Sequence, residues 1–166
     1  DMMDVAMPES EHYEEWDLEG CLIAFERQYG ISGRLDSNEI VFEDPQCKID
    51  IEEETRDLVV DKLHSLIEDV YQMKYGDFED EMVRELERMV YLQILDAQWK
   101  DHLTGMEHLK EGIGLRGYAQ VDPLNEYKKE AFEMFGTLND RIDSETLLYL
   151  YKLDVRDEGI QLEEHE

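Results

Sequence analysis

Three glycines, Gly112, Gly114 and Gly117, spell G-x-G-x-x-G within GIGLRGYAQVDP, residues 112–123. In a dinucleotide-binding turn that string brings helix amides against a pyrophosphate. Histidines and carboxylates are the other types that could do chemistry. His102 and His108 lie about 240° apart round a helix of 3.6 residues per turn, so their rings do not converge on a metal. A di-metal bundle needs paired Glu-x-x-His motifs facing inward. The chain has one, Glu9–His12, in a stretch that reads as loop. Asp101, His102 and Glu107 come without a nucleophile, and Cys21 and Cys47 have neither metal nor redox spacing. Both cysteines read as reduced, intracellular thiols. No residue is assigned a catalytic role, no metal site is expected, and G-x-x-x-x-G-K-[ST] occurs nowhere, so this chain alone is not expected to hydrolyse ATP.

Charge narrows the partners. Sixteen basic against 44 acidic residues give a net charge of −28, which argues against nucleic acid or anionic lipid as a partner of the bulk surface. The acidity is uneven. Residues 1–99 carry a net −20 and residues 130–166 a net −8, while residues 100–129 are neutral, with 5 charges of each sign. The glycine-rich stretch lies in that neutral island. No apolar run approaches the roughly 20 residues of a membrane helix, and nothing resembles a signal peptide. The chain opens at Asp1 without an initiator methionine and is expected to be a piece of a longer protein.

The elements that position these residues read as helices. Asp17 caps a helix to Tyr29, with Leu18, Leu22, Phe25 and Tyr29 on its face and Gly30 ending it. Residues 31–49 show no steady period and read as loop, with Ile40–Phe42 at best a short extended piece. Asp50 and Glu53 have capping-box spacing ahead of a second helix whose buried stripe is Val59, Leu63, Leu66, Val70 and Met73. Gly76 and Asp77 punctuate. One long helix is then expected from Phe78 to Glu111, with Gly112 just past its end. Asp122 and Pro123 form the start of another, whose face is Tyr127, Ala131, Phe135, Leu138, Ile142, Tyr149 and Leu153. Two long helices joined by a short loop run antiparallel with their stripes facing. Trp99, Leu103, Met106, Tyr127 and Phe135 are the expected hairpin core.

That context removes the dinucleotide reading. A helix, not a strand, precedes the glycines, and the next helix starts too late to present its amides. Gly112, Gly114, Asp122 and Pro123 instead read as the geometry of a hairpin turn. The turn leaves Ile113, Leu115, Arg116, Tyr118 and Gln120 at or near the apex, with arginine and tyrosine among the types enriched at contact hot spots; the alternative is that Leu115 and Tyr118 fold back onto the hairpin as a small local core.

Residues 95–135, LDAQWKDHLTGMEHLKEGIGLRGYAQVDPLNEYKKEAFEMF, resemble the two-helix finger of the SecA family, the ATPase motors of bacterial preprotein export. The block W-K-[DE]-H-L, then G-I-x-L-R-G-Y-A-Q-x-D-P, then E-Y-K-x-E-x-F-x-M-F carries the likeness. EEWDLEG and VYQMKYGDFEDEM are similar in outline to that family's helical wing. Val121 stands where many relatives carry lysine, and Lys110 where arginine is frequent.

The resemblance implies an all-α chain. A helical wing domain occupies 1–77, with the last turn of a preceding scaffold helix at 1–9. The helical scaffold two-helix finger occupies 78–155, and 156–166 is a polar tail. It further implies that the tip, Tyr118 above all, enters the mouth of the SecYEG channel and touches the unfolded preprotein. The finger base would restrain the ATPase domains of the parent chain, which bind ATP and Mg; this segment needs no cofactor. The implied location is cytoplasmic and peripheral, at the cytoplasmic face of the bacterial inner membrane. The competing reading is a free-standing helical adaptor that forms a homodimer through its long helices.

Overall fold

The computed structural model describes residues 2–8, 12–43, 45–116 and 122–153. These are mostly helical and fall into two compact units, divided between Val83 and Arg84 and again between Leu150 and Tyr151.

The first unit begins with α1 (Met2–Ala6) and, after a 3-10 turn at Tyr13–Glu15, α2 (Leu18–Tyr29). Met3 and Met7 of the opening segment are fully buried in this unit's core. The Asp17 carboxylate accepts from the Gly20 amide at 3.0 Å and so satisfies one orphan donor of the first turn. At the other end Gly30 adopts φ 71°, the left-handed cap that a side chain would strain.

Three short strands follow, β1 (Gly33–Asp36), β2 (Glu39–Phe42) and β3 (Cys47–Asp50), in an antiparallel sheet of order β1-β2-β3. Gly33 pairs with Phe42, Ile40 with Ile49, and Phe42 with Cys47. The loop expected over 31–49 is therefore corrected to a three-stranded sheet. Four-residue strands are too short to establish a period-two pattern. Their tight turn is also made by Ser37 (φ 55°) and Asn38 rather than by a glycine pair.

Helix α3 (Arg56–Tyr75) closes the unit. The expected capping box forms a turn instead of a helix start. Asp50 Oδ1 accepts from the amides of Glu52 and Glu53 at 3.0 and 3.1 Å, and the helix begins only after Thr55. Val59, Leu63 and Leu66 are fully buried as the stripe requires, and Val70 packs partly buried against them. Met73 is 67% exposed, and Tyr75 is buried in its place. Phe25 and Phe42 meet at 5.7 Å between ring centroids in the middle of this core. Each such side chain contributes about 1.5–3 kcal/mol of burial.

The second unit consists of the greater parts of α4 (Asp80–Arg116) and α5 (Pro123–Lys152). Within it Gln98 reaches Glu145, His102 meets Phe135, and Gly105 faces Met134. Contacts that run backward along α5 as they run forward along α4 mark an antiparallel pair. The buried seam is Leu86, Val90, Leu109 and Ile113 with Leu138, Ile142 and Leu150.

The expected hairpin core is corrected on three residues. Trp99, Leu103 and Phe135 are 43%, 49% and 46% exposed, while Met106 and Tyr127 are half-buried. The half-buried positions of α4 continue from Val90 through Ile94, Gln98 and His102. Steps of four exceed 3.6 residues per turn and carry the seam gradually round the helix. Trp99 and Leu103 lie on the neighbouring flank.

Candidate functional site

The glycine-rich segment begins in the last turns of α4, and its final residues open α5. Helix α4 continues through Gly112 and Gly114 to Arg116, which corrects the expected stop at Glu111. A Cβ on Gly112 would meet nothing within 4 Å, so no close approach requires glycine there. With its first two glycines inside a helix, the G-x-G-x-x-G string is not a strand-to-helix phosphate turn. Leu115 and Arg116 belong to the last turn of α4. Gly117, Tyr118, Ala119, Gln120 and Val121 lie outside the described residues.

The start of α5 is defined in detail. Asp122 Oδ1 accepts from the Leu124 amide at 3.0 Å, and Oδ2 accepts from the Asn125 side-chain amide at 2.8 Å. Pro123 takes the first helical position, where its missing N–H costs nothing.

Behind these ends an aromatic flank lies open to solvent. The Trp99 ring centroid lies 5.5 Å from that of His102, which in turn lies 6.2 Å from that of Phe135, edge-on. Phe132, on α5, is 79% exposed. The sequence reading passed over Phe132 because it falls beside the apolar stripe rather than on it. It also missed the cross-helix pair of Gln98 and Glu145, since a polar pair at a seam leaves no mark on a hydrophobic pattern. Surface ion pairs along α4, Arg88 to Glu85 at 2.6 Å and Lys100 to Asp96 at 2.5 Å, add little stability.

Elsewhere the chemistry is sparse. Among the described residues no group of three His, Cys, Asp or Glu is placed to hold a metal ion. No described helix is long and apolar enough to cross a membrane. A cavity of about 550 Å³ in the first unit is lined by residues that include Tyr13, Glu14, Trp16, Asp17 and Glu19. No histidine, cysteine, serine or lysine lines it. Burial pushes the Cys21 thiol up, helped by the Asp17 carboxylate. Burial also raises the Cys47 thiol, outweighing the Lys62 ammonium that pulls it down. Neither is an activated nucleophile.

A small helical unit carrying a three-stranded sheet, continuous in sequence with a long antiparallel helix pair, is a scaffold-type helical segment. Residues 1–154 match the family model described as SecA Wing and Scaffold domain, and the chain belongs to that family. It is 42% identical over 112 residues to the protein translocase subunit SecA of Thermodesulfovibrio yellowstonii, covering 68% of this chain and 13% of that protein. It is 36% identical over 154 residues to that of Acidobacterium capsulatum, covering 93% and 14%. With the subunit of Syntrophobacter fumaroxidans the identity is 39% over 158 residues, covering 94% and 17%. The chain thus spans about a seventh of the length of the relatives it matches.

Proposed function

We propose that this chain is a non-catalytic part of a bacterial protein-export motor and that α4 and α5 form its two-helix finger. In this reading Leu115, Arg116, Gly117, Tyr118, Ala119 and Gln120 enter the cytoplasmic mouth of a SecYEG channel and touch the translocating, unfolded preprotein. Tyr118 suits the contact because its ring is a broad apolar face with one hydroxyl, able to engage many sequences without selecting one. The finger base couples to ATPase domains that lie elsewhere in the parent chain and hold ATP and Mg. The protein works in the cytoplasm, peripherally at the inner membrane.

One observation carries the reading. The family-specific GIGLRGYAQVDP joins the end of α4 to the start of α5, two helices whose contacts run antiparallel, so this block connects a finger-like pair. The neutral charge of residues 100–129 in so acidic a chain supports it as well, because a strongly acidic tip would repel acidic substrate segments.

The test is Tyr118→Ala in the intact translocase. Transport into channel-bearing vesicles should fall by about tenfold, the equivalent of ~1.4 kcal/mol of lost contact, while ATP hydrolysis without channel stays unchanged. Unaltered transport would contradict the reading. The exposed Trp99, Leu103, Phe132 and Phe135 favour a second reading, a helical adaptor that dimerises along this flank. That reading requires concentration-dependent mass in sedimentation, abolished by Phe132→Glu.

A further inference from the structure

Tyr151, in the last turn of α5, belongs to the first unit and packs on its helices α2 and α3. Its hydroxyl donates to the Ile67 carbonyl in the middle of α3 at 2.9 Å. Its own carbonyl, one of the orphan acceptors at a helix C-terminus, accepts from Lys74 Nζ at 2.7 Å. The Tyr29 ring of α2 meets it edge-on at 5.1 Å, and the Tyr71 ring lies 6.0 Å away.

Three features set this fastening apart from the core. First, the main buried cluster of the unit, among the described residues, runs from Met3 to Leu66. Tyr151 is not a member of that cluster and packs on its partly buried outer layer, at Tyr29 and Ile67, with Tyr71 beside it. Second, the Ile67 carbonyl lies inside α3, where helical geometry already supplies the amide of Tyr71 as a donor. The tyrosine hydroxyl uses its second lone pair, so withdrawing the phenol orphans no backbone group. Third, Lys74 and Tyr151 are both partly exposed residues, so the ammonium and the carbonyl it binds can pass to water without an unpaired buried charge. A contact that can be broken without leaving a buried polar group unsatisfied, and without opening the core, is reversible by construction.

We propose that Tyr151 is a clasp: it releases and re-engages the last turn of α5 while α2, α3 and the sheet remain folded. Tyr29 and Tyr71 form the aromatic seat, the Ile67 carbonyl is the catch, and Lys74 secures the helix end. This inference rests on the contacts of Tyr151 and does not depend on the finger reading.

Amide hydrogen exchange in the intact chain tests it, read by mass spectrometry on peptides from the end of α5 and from the core of α3. Tyr151→Phe removes only the hydrogen bond and should speed exchange over residues 148–152 by about tenfold. Tyr151→Ala, which also removes the ring, should speed it further. Lys74→Met should act in the same direction. In all three variants exchange over Val59–Leu66 and over Ile40–Phe42 should match the wild type. The clasp is overturned if acceleration spreads equally to those core amides, because Tyr151 would then be part of one cooperative unit. It is equally overturned if residues 148–152 exchange at the wild-type rate in both Tyr151 variants.

Discussion

The side-chain amide of Gln98 donates to both carboxylate oxygens of Glu145, at 2.9 and 2.8 Å. The pair ties α4 to α5 across the seam of the second unit and helps to set their register, one turn from Ile94 and from the buried Ile142. Hydrogen bonds to a charged acceptor are the stronger kind, and removing one partner leaves the other unsatisfied. Gln98→Leu should therefore destabilise the helix pair by about 1–2 kcal/mol. Gln98→Leu with Glu145→Leu should recover most of that loss. Urea titration followed by circular dichroism reads both variants.

Glycine positions separate three outcomes. A Cβ at Gly33 would lie 2.6 Å from Phe42 Cε1 and 2.9 Å from Leu22 Cδ2. Both side chains are locked in the core, so Gly33→Ala should cost about 1–3 kcal/mol. Gly136 sits within α5 with nothing within 4 Å of an added Cβ. There Gly136→Ala should stabilise by about 0.5–1 kcal/mol. At Gly105 an added Cβ would lie 2.7 Å from the Met134 methyl, the free end of a flexible side chain. Gly105→Ala should thus be near neutral, Met134 swinging aside as the helix gains propensity. Thermal melts of the three variants test the order.

Burial pushes the Tyr151 phenol well above its ordinary 10.0, and burial also raises Tyr29. The folded state holds these protons longer than the unfolded state does. Their contribution to stability is therefore fully present below pH 10 and is lost as pH rises above it. Denaturant midpoints should fall above that pH, and Tyr151→Phe should make the fall shallower.

The raised thiols give a related expectation at neutral pH. In the native chain Cys21, buried beside the Asp17 carboxylate, should react with iodoacetamide more slowly than in the unfolded chain by at least about tenfold. Cys47, less buried, should react faster than Cys21. Mass spectrometry of the alkylated peptides measures both rates.

Where the sequence was legible, one strong local signal coincided with one element. Asp17 and Gly30 bracket α2, and Asp122 with Pro123 opens α5, because cap chemistry is written in single residues. The sheet was hidden because the strands are four residues long and turn on Ser37 and Asn38. Gly112 misled because a helix tolerates glycine when tertiary context favours its continuation, and α4 runs on to Arg116. The exposed Trp99 and Phe135 misled because a periodic apolar face says that a helix is amphipathic, not which flank its partner covers. At the candidate site the family likeness named the tip residues, and no periodicity could have named Tyr118.

The central claim is that residue 118 meets the export channel and its cargo. The most direct measurement is crosslinking of Tyr118→Cys in the intact translocase, reconstituted with channel and a stalled preprotein bearing single cysteines. The account predicts disulfide adducts to the channel mouth and to the preprotein from position 118, and none from Asp140→Cys on exposed α5. Absence of both adducts at 118, while Asp140→Cys does crosslink, would contradict it.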